Sequence, residues 1–250
     1  MKKKTVIITG GNQGIGLFIT RAFQAAHYHV LVGARSEGRL QKDLSETIRY
    51  CQADVRDRLA HQKLVETAIA WTGQLNVYVN CAGFSGWKDA AKVDESFWDD
   101  MIDTNLAGTF WGCQAAAHGM KKGGAIINIS SLAGRRGSAF NAVYCASKFG
   151  VQGLTQSLAK ELGSRQIRVN AVCPVYVMTE GLKKALEGEA SPVKGGSIES
   201  YLKTFAKEQS ALGRLPTGEE VADTCLFLAS EAASGITGQS IHVDCGIFPS

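Results

Sequence analysis

The hydrophobic pattern of this chain switches repeatedly between two periods. Short apolar runs rich in β-branched residues occur at Val6 to Ile8, Val30 to Val32, Val77 to Val79, Ala125 to Ile129 and Ile167 to Val172. Such runs read as strands buried on both faces of a parallel sheet. Between them lie stretches of helical length and character, Ile15 to Ala26, Leu59 to Thr72 and Phe97 to Ala117. Near the end, Thr217 with Glu220 three residues later predicts a capping box for a helix running to Ser230, followed by a last strand at Ile241 to Val243. The third strand, near Ile48 to Gln52, is the least regular, because Arg49 and Gln52 interrupt its apolar pattern. Strands alternating with helices imply right-handed crossovers, and predict an α/β fold built on a doubly wound parallel sheet of about seven strands with helices on both faces.

Composition narrows the class. At 250 residues and 45% hydrophobic content the chain has enough apolar material for one sizeable core, and no linker divides it, so a single domain over residues 1–250 is expected. The net charge of +4, with Lys and Arg spread along the chain, gives a nucleic-acid partner little support. Lys2, Lys3 and Lys4 precede an apolar stretch that ends at Thr9, too short for a signal sequence. No run approaches the ~18 apolar residues of a membrane span, so a soluble cytoplasmic protein is expected. Seven scattered cysteines without a C-x-x-C pair, and five histidines without metal-like spacing, point to reduced thiols and to no catalytic metal.

The chemistry begins at Gly10-x-x-x-Gly14-x-Gly16, directly after the first strand. There a helix N-terminus presents free backbone N–H groups to a phosphate. Gly10 permits the tight turn, Gly14 lets the backbone approach a pyrophosphate, and Gly16 lets the helix lie close to the sheet. Cofactor choice is expected at the end of the second strand, Gly33-Ala34-Arg35-Ser36. No carboxylate stands at position 34 to hold a ribose 2′-OH, and Arg35 can pair with a 2′-phosphate, which favours NADP(H) over NAD(H). The alternative is an exposed loop arginine, with Glu37 serving the 2′-OH.

A second constellation lies downstream. Ser131 precedes Tyr144 by thirteen residues, and Lys148 follows Tyr144 by four. At 100° per residue, Val151, Leu154, Leu158 and Leu162 form one stripe, with Tyr144 within about 20° of Val151 and Lys148 within about 60°. Tyr144 and Lys148 are neighbours on one helix face. An ammonium ~4 Å from the phenol, at an effective dielectric of ~20, contributes about 4 kcal/mol and lowers a phenol pKa near 10 by roughly three units. Tyr144 would then exchange protons near neutral pH. Ser131 follows an apolar strand and is expected at its carboxyl end, where open α/β sheets bind ligands.

With these residues in hand, the whole chain resembles the short-chain dehydrogenase/reductase family, in a Rossmann-type fold. The matching residues run from Thr9 through Gly16, then Asp54-Val55, Asn80 to Gly83, Asn105, Ser130-Ser131, Tyr144 to Lys148, and Pro174 to Thr179; Ile236 to Gln239 and Val243 to Gly246 complete the series. The resemblance implies Tyr144 as acid/base, Lys148 as the ribose-holding cation, Ser131 as the carbonyl-orienting hydroxyl and Asn105 as keeper of a water leading to the lysine. It implies cofactor contacts from Gly10, Asn12, Gln13, Gly14, Ile15, Gly16, Arg35, Asp54, Val55, Asn80, Ala82, Gly83, Tyr144, Lys148, Pro174, Val177 and Thr179. Asp54 has a rival reading as a helix cap, Asn105 as a helix-kinking residue, and Ser130 competes with Ser131. The family usually has asparagine at Cys81, glycine at Val175 and glycine at Cys245.

The implied reaction is hydride transfer from NADPH to a ketone, giving a secondary alcohol, on a 3-oxoacyl thioester, a polyketide-like substrate or another small carbonyl compound. The alternatives are oxidation of a secondary alcohol, sugar or sterol, and a dinucleotide-sensing protein without turnover. Residues 178–210 are expected to form a substrate lid, with Leu182, Leu186, Tyr201, Leu202 and Phe205 on its inner side and Phe84 and Trp87 opposite. Arg135, Arg136, Lys183, Lys184 and Lys203 are expected near the mouth, where they suit an acidic carrier protein or simply form a solvated face. The resemblance also implies a homotetramer.

Overall fold

The structure is a computed structural model that describes residues 4–249; Lys2 and Lys3 of the basic N-terminal run lie outside the described residues. The chain runs β1 (Thr5–Thr9), α1 (Gly14–Ala25), β2 (His29–Ala34), β3 (Ile48–Gln52), α2 (Arg58–Thr72), β4 (Val77–Asn80), α3 (Glu95–Ile102), α4 (Gly108–Gly119), β5 (Gly124–Ile129), α5 (Ala142–Leu162), β6 (Ile167–Pro174), α6 (Glu180–Leu186), α7 (Ile198–Gln209), α8 (Gly218–Ala229) and β7 (Ser240–Val243). The seven strands form one parallel sheet in the order β3-β2-β1-β4-β5-β6-β7. The expected doubly wound architecture is therefore present. The order reverses between β1 and β4, and a crevice opens at the carboxyl ends of the strands beside such a switch point.

Period-two alternation sorts each strand's residues to two cores. Val6 and Ile8, Val30 and Val32, and Val77 and Val79 face α1 and α8, where Leu17, Ile19, Phe23, Val221 and Leu228 meet them. Ile7, Leu31 and Tyr78 face the other way, against Leu64 and Ala68 of α2, Cys113 and Ala116 of α4, and Ala159 and Leu162 of α5. With both faces covered, the strands need no polar side. The irregular third strand forms as well: β3 pairs along its full length with β2 at the sheet edge, where Arg49 and Gln52 are exposed. An edge strand tolerates those polar residues because its outer flank is solvated.

Two expectations change. The helix anticipated from Phe97 to Ala117 is broken by a π-helical turn at Asp103–Ala107, which separates α3 from α4. A π-bulge inserts a residue and redirects the helix, and periodicity alone does not reveal it. On α5 the buried stripe runs through Lys148, Val151, Gln152, Thr155, Ala159 and Leu162, whereas Leu154 and Leu158 are only half-buried. The polar members of that stripe have partners: Thr155 Oγ1 donates to the Val151 carbonyl and accepts from Asn128 Nδ2 at 3.0 Å. The predicted capping box is present at α8, where Thr217 Oγ1 accepts from the Glu220 N–H and the Glu220 carboxylate accepts from the Thr217 N–H.

Candidate active site

The turn from β1 into α1 is shaped by its glycines. Gly10 has φ of +67°, a left-handed conformation that glycine adopts without a Cβ clash. A Cβ on Gly16 would stand 2.1 Å from the Gly10 carbonyl oxygen, so the first turn of α1 lies against the turn only because that side chain is missing. Thr9 Oγ1 accepts from the N–H groups of Cys81 and Ala82 at 3.1 and 3.2 Å, tying the ends of β1 and β4 together. Asn12 Nδ2 donates to the Ser36 carbonyl at 2.9 Å, linking the same turn to the end of β2.

A cleft of about 1780 Å³ opens over these ends, larger than the roughly 300–1,000 Å³ of ordinary small-ligand pockets. One end is lined by Gly10, Asn12, Gln13, Gly14, Ile15, Gly16, Arg35, Ser36, Arg39, Asp54 and Val55, and the other by Ser131, Tyr144, Lys148, Val177 and Thr179. Ala82, Gly83 and Pro174 border it as well. The two motif groups, more than a hundred residues apart in sequence, thus share one space.

At the first end, Arg35 and Arg39 are both exposed. Arg39 approaches Glu180 at 3.9 Å, a contact that bridges the turn following β2 and the start of α6. Arg39 was not singled out from sequence; its four-residue spacing from Arg35 is the signal that would have found it. Asp54 is held below the usual carboxylate range chiefly by hydrogen bonds from the Arg56 guanidinium, and Arg56 reaches on to Asp100 of α3 at 3.1 Å. Asp54 does not cap α2. That role falls to Asp57, which accepts from the Leu59 N–H at 2.8 Å.

At the second end, Ser131 leaves β5 and its hydroxyl accepts from the Ala133 N–H at 3.1 Å. Both serines border the cleft, but Ser130 is only 2% exposed and its hydroxyl is taken up in donating to the Lys148 carbonyl, which leaves Ser131, half-buried, as the more accessible hydroxyl. Lys148 is only 6% exposed; its ammonium donates to the Ile129 carbonyl at 2.9 Å and lies 5.8 Å from the centre of the Tyr144 ring. The pKa shift expected from the pair is not what this geometry gives. Burial pushes the Tyr144 phenol up to about 12, against a hydrogen bond from Ser131 that lowers it. Burial likewise pulls Lys148 down to about 8. Desolvation of each charged form outweighs their mutual attraction, because the ammonium is directed to a backbone carbonyl instead of the phenol.

Asn105 is fully buried at the π-turn. Its Oδ1 accepts from the Phe84 N–H at 3.0 Å, and its Nδ2 donates to the Phe84 carbonyl at 2.9 Å and to Ser147 Oγ at 3.3 Å. It fixes the loop after β4 to the helix of Tyr144 without itself lining the cleft. Beside it, a Cβ on Gly83 would lie 2.8 Å from Asn105 Oδ1 and 3.6 Å from Lys148 Nζ. The missing side chain at Gly83 therefore lets the loop after β4 pack directly on Asn105 and the lysine, and the backbone donors and glycine turn at the far end of the cleft fit a dinucleotide.

Some expected contacts fall elsewhere. Asn80 is 3% exposed and points into the sheet interior, where its Nδ2 donates to Asn128 Oδ1 at 2.9 Å; its place as the last residue of β4 turns it away from the cleft. Leu186 and Leu202 are buried at 1% and 4%, serving the packing of α6 and α7. Arg136, Lys183, Lys184 and Lys194 line the cleft, whereas Arg135 and Lys203 do not. Phe84, Trp87, Leu182, Tyr201 and Phe205 line it as expected. Tyr176, missed in the sequence, stands among them with its ring centre 5.0 Å from that of Phe205 and its hydroxyl 3.4 Å from that of Tyr201. Cys81 and Val175 also face this space. Cys245 has φ of +55°, the left-handed conformation for which the family's glycine is suited.

Known proteins share this arrangement. A family model described as Enoyl-(Acyl carrier protein) reductase matches residues 10–247. The 3-oxoacyl-[acyl-carrier-protein] reductase FabG of Staphylococcus aureus strain Mu50 is 35% identical over 254 residues, covering 98% of each chain. Among solved structures, a variant of the actinorhodin polyketide ketoreductase determined with NADPH superposes with a TM-score of 0.90 at 30% identity, over 98% of this chain and 97% of that one. The ligand-free aldohexose dehydrogenase of Thermoplasma acidophilum gives 0.88 at 28% identity, over 98% and 94%. The glycine turn, the Ser131, Tyr144 and Lys148 cluster and these full-length likenesses agree: the chain belongs to the short-chain dehydrogenase/reductase family, and is an NAD(P)-dependent oxidoreductase acting on CH–OH and C=O groups.

Proposed function

We propose that the protein is an NADPH-dependent ketoreductase, and that the reaction takes place where Ser131, Tyr144 and Lys148 border the cleft. The observation that carries this reading is geometric: Ser131, Tyr144 and the buried Lys148 border one cleft together with the glycine turn. With Tyr144 raised to about 12 and Lys148 near about 8, the phenol holds its proton and the amine is a cation at neutral pH. A neutral phenol can give a proton to a carbonyl oxygen, as reduction requires.

The bound reduced nicotinamide supplies the hydride. As the carbonyl carbon gains it, the C=O π pair moves to oxygen and the Tyr144 O–H donates its proton there. Ser131 hydrogen-bonds the same oxygen, so two hydroxyls meet the developing negative charge. Lys148 holds positive charge beside the phenol and replaces none of its bonds. Asn105 keeps the loop of Gly83 and Phe84 fixed against the Tyr144 helix. The glycine turn with Asn12, Gln13 and Ile15 would hold the pyrophosphate, Asp54 and Val55 the adenine, and Ala82, Gly83, Pro174, Val177 and Thr179 the nicotinamide half. Arg35, joined by Arg39, would hold a 2′-phosphate, and neither exposed guanidinium carries a bidentate carboxylate partner that would compete for it.

The substrate is a ketone carried in the aromatic part of the cleft, with residues 178–210 as its cover. A 3-oxoacyl thioester or polyketide-like chain is supported by the names of the relatives and by Arg136, Lys183, Lys184 and Lys194 at the cleft, cations that suit an acidic carrier or a phosphorylated arm. A cytoplasmic location suits the seven free cysteines. A homotetramer is supported by the exposed Phe149 and half-buried Leu154 of α5, apolar positions that a second copy would cover. The test is a panel of 3-oxoacyl thioesters and cyclic and linear ketones, followed by loss of reduced-nicotinamide absorbance with NADPH and NADH. NADPH oxidation with at least one ketone is expected; binding of NADPH without oxidation across the panel would overturn the reading.

A further inference from the structure

Behind the cleft wall, one buried polar chain links the centre of the sheet to the turn after β3. His61 of α2 is 1% exposed and uses both ring nitrogens: Nε2 lies 2.9 Å from the Val55 carbonyl oxygen and Nδ1 2.8 Å from the Tyr78 hydroxyl. A carbonyl oxygen can only accept, so Nε2 carries the hydrogen. In the neutral ring Nδ1 then accepts, and Tyr78 donates its O–H. Burial favours that neutral form by lowering the ring's pKa, while the Val55 carbonyl and the charges of Asp57 and Asp54 act the other way.

Both ends of the chain are firm. Tyr78 is fully buried in β4, which is paired on one side with β1 and on the other with β5. Val55 lines the cleft beside Asp54. Its carbonyl is also backed by α4, because a Cβ on Gly108 would lie 2.9 Å from it. On the solvent side, Arg56 ties Asp54 to Asp100 of α3. The turn is held from within by His61 and from without by Arg56.

We propose that His61 is a positioning residue for nucleotide recognition: with Tyr78 it fixes the Asp54–Val55 turn in the shape that receives the adenine. This rests on the dinucleotide reading above. A histidine that merely filled the core would affect stability without distinguishing the two halves of the cofactor, whereas a positioning residue acts on the adenine half alone.

The experiment separates those halves. Adenosine 2′,5′-bisphosphate serves as the adenine-side probe, its binding read by calorimetry, and reduced nicotinamide mononucleotide serves as a hydride donor that lacks adenosine. His61→Phe removes both hydrogen bonds, Tyr78→Phe removes only the anchoring O–H, and His61→Gln keeps an amide N–H that can reach the Val55 carbonyl. For His61→Phe, the bisphosphate Kd and the KM for NADPH are expected to rise about ten-fold, and for Tyr78→Phe about three-fold. The kcat, and kcat/KM with the mononucleotide, should stay within about two-fold, and His61→Gln should recover most of the affinity. An unchanged bisphosphate Kd in Tyr78→Phe and His61→Phe, an equal loss with both hydride donors, or a Gln variant as weak as the Phe variant would overturn the proposal. If His61→Phe does not fold, the bisphosphate Kd of Tyr78→Phe decides by the same criterion. Calorimetry needs no turnover, so failure of the ketoreductase reading would show separately, as wild-type protein that binds the bisphosphate but oxidises no NADPH.

Discussion

The Lys148 ammonium lies 5.8 Å from the centre of the Tyr144 ring, but gives its hydrogen bond to the Ile129 carbonyl, 2.9 Å away. A cation is thereby kept beside the phenol without accepting its proton or drawing it off. Burial moves the two groups in opposite directions, Tyr144 up to about 12 and Lys148 down to about 8, and leaves both protonated near neutrality.

That burial has a pH signature. The folded pKa of Lys148, about 8, lies below its ordinary value of 10.5, so between these values the unfolded chain binds more protons and the lysine's contribution to stability rises with pH. The full difference corresponds to about 3 kcal/mol. Urea unfolding of the wild type and Lys148→Met at about pH 7 and about pH 10.5 should show the wild type gaining on the variant by an amount of that order. A pH-independent difference would contradict a desolvated ammonium. Ketone reduction should decline as pH rises through about 8, where the cation is lost.

Cofactor preference should respond to Arg35→Ala. Loss of a guanidinium–phosphate contact removes a charge-assisted hydrogen bond, and NADPH affinity should fall about ten- to a hundred-fold while NADH changes by less than about two-fold. Isothermal titration with each nucleotide gives the ratio; an unchanged ratio would return the choice to Glu37 and NADH.

Gly83→Ala tests the close packing of the loop after β4 on Asn105. The new methyl would stand 2.8 Å from Asn105 Oδ1, an atom that cannot yield freely because it accepts from the Phe84 N–H at 3.0 Å. NADPH binding should weaken by about ten-fold or more, with a thermal midpoint lower by several degrees, at about 1 to 2 kcal/mol of strain. Native-like affinity in this variant would mean that the packing of Gly83 on Asn105 does not shape the nucleotide site.

The fold was legible because strands covered on both faces leave an uninterrupted apolar signature, and Ile7 or Val79 can sit nowhere but in a core. Even β3, with Arg49 and Gln52, formed where expected, since its ladder with β2 needs backbone pairing more than apolar side chains. The π-turn at Asp103–Ala107 was hidden because one extra residue in a turn alters direction without altering composition. The site's membership was legible from spacing: Ser131, Tyr144 and Lys148 do meet in one cleft. Its electrostatics were not, because the pKa of Tyr144 depends on where the Lys148 ammonium points, and the carbonyl that receives it belongs to Ile129, nineteen residues away in sequence. Asn80 illustrates the same limit: the side it faces follows from its place in β4, and that side is the interior.

Helix α8, which covers the sheet opposite the Tyr144 helix, should depend on its cap. Thr217→Ala removes the acceptor of the Glu220 N–H and should cost about 1 kcal/mol in chemical denaturation. A cost near zero would show the capping box to be dispensable.

The most direct test of the account is NADPH oxidation by Tyr144→Phe with the best ketone of the panel, alongside NADPH binding by the same protein. Removing one phenolic O–H should lower kcat by at least about a hundred-fold, while NADPH affinity stays within about three-fold of the wild type. Turnover by Tyr144→Phe at the wild-type rate would contradict the assignment of the transferred proton to that phenol.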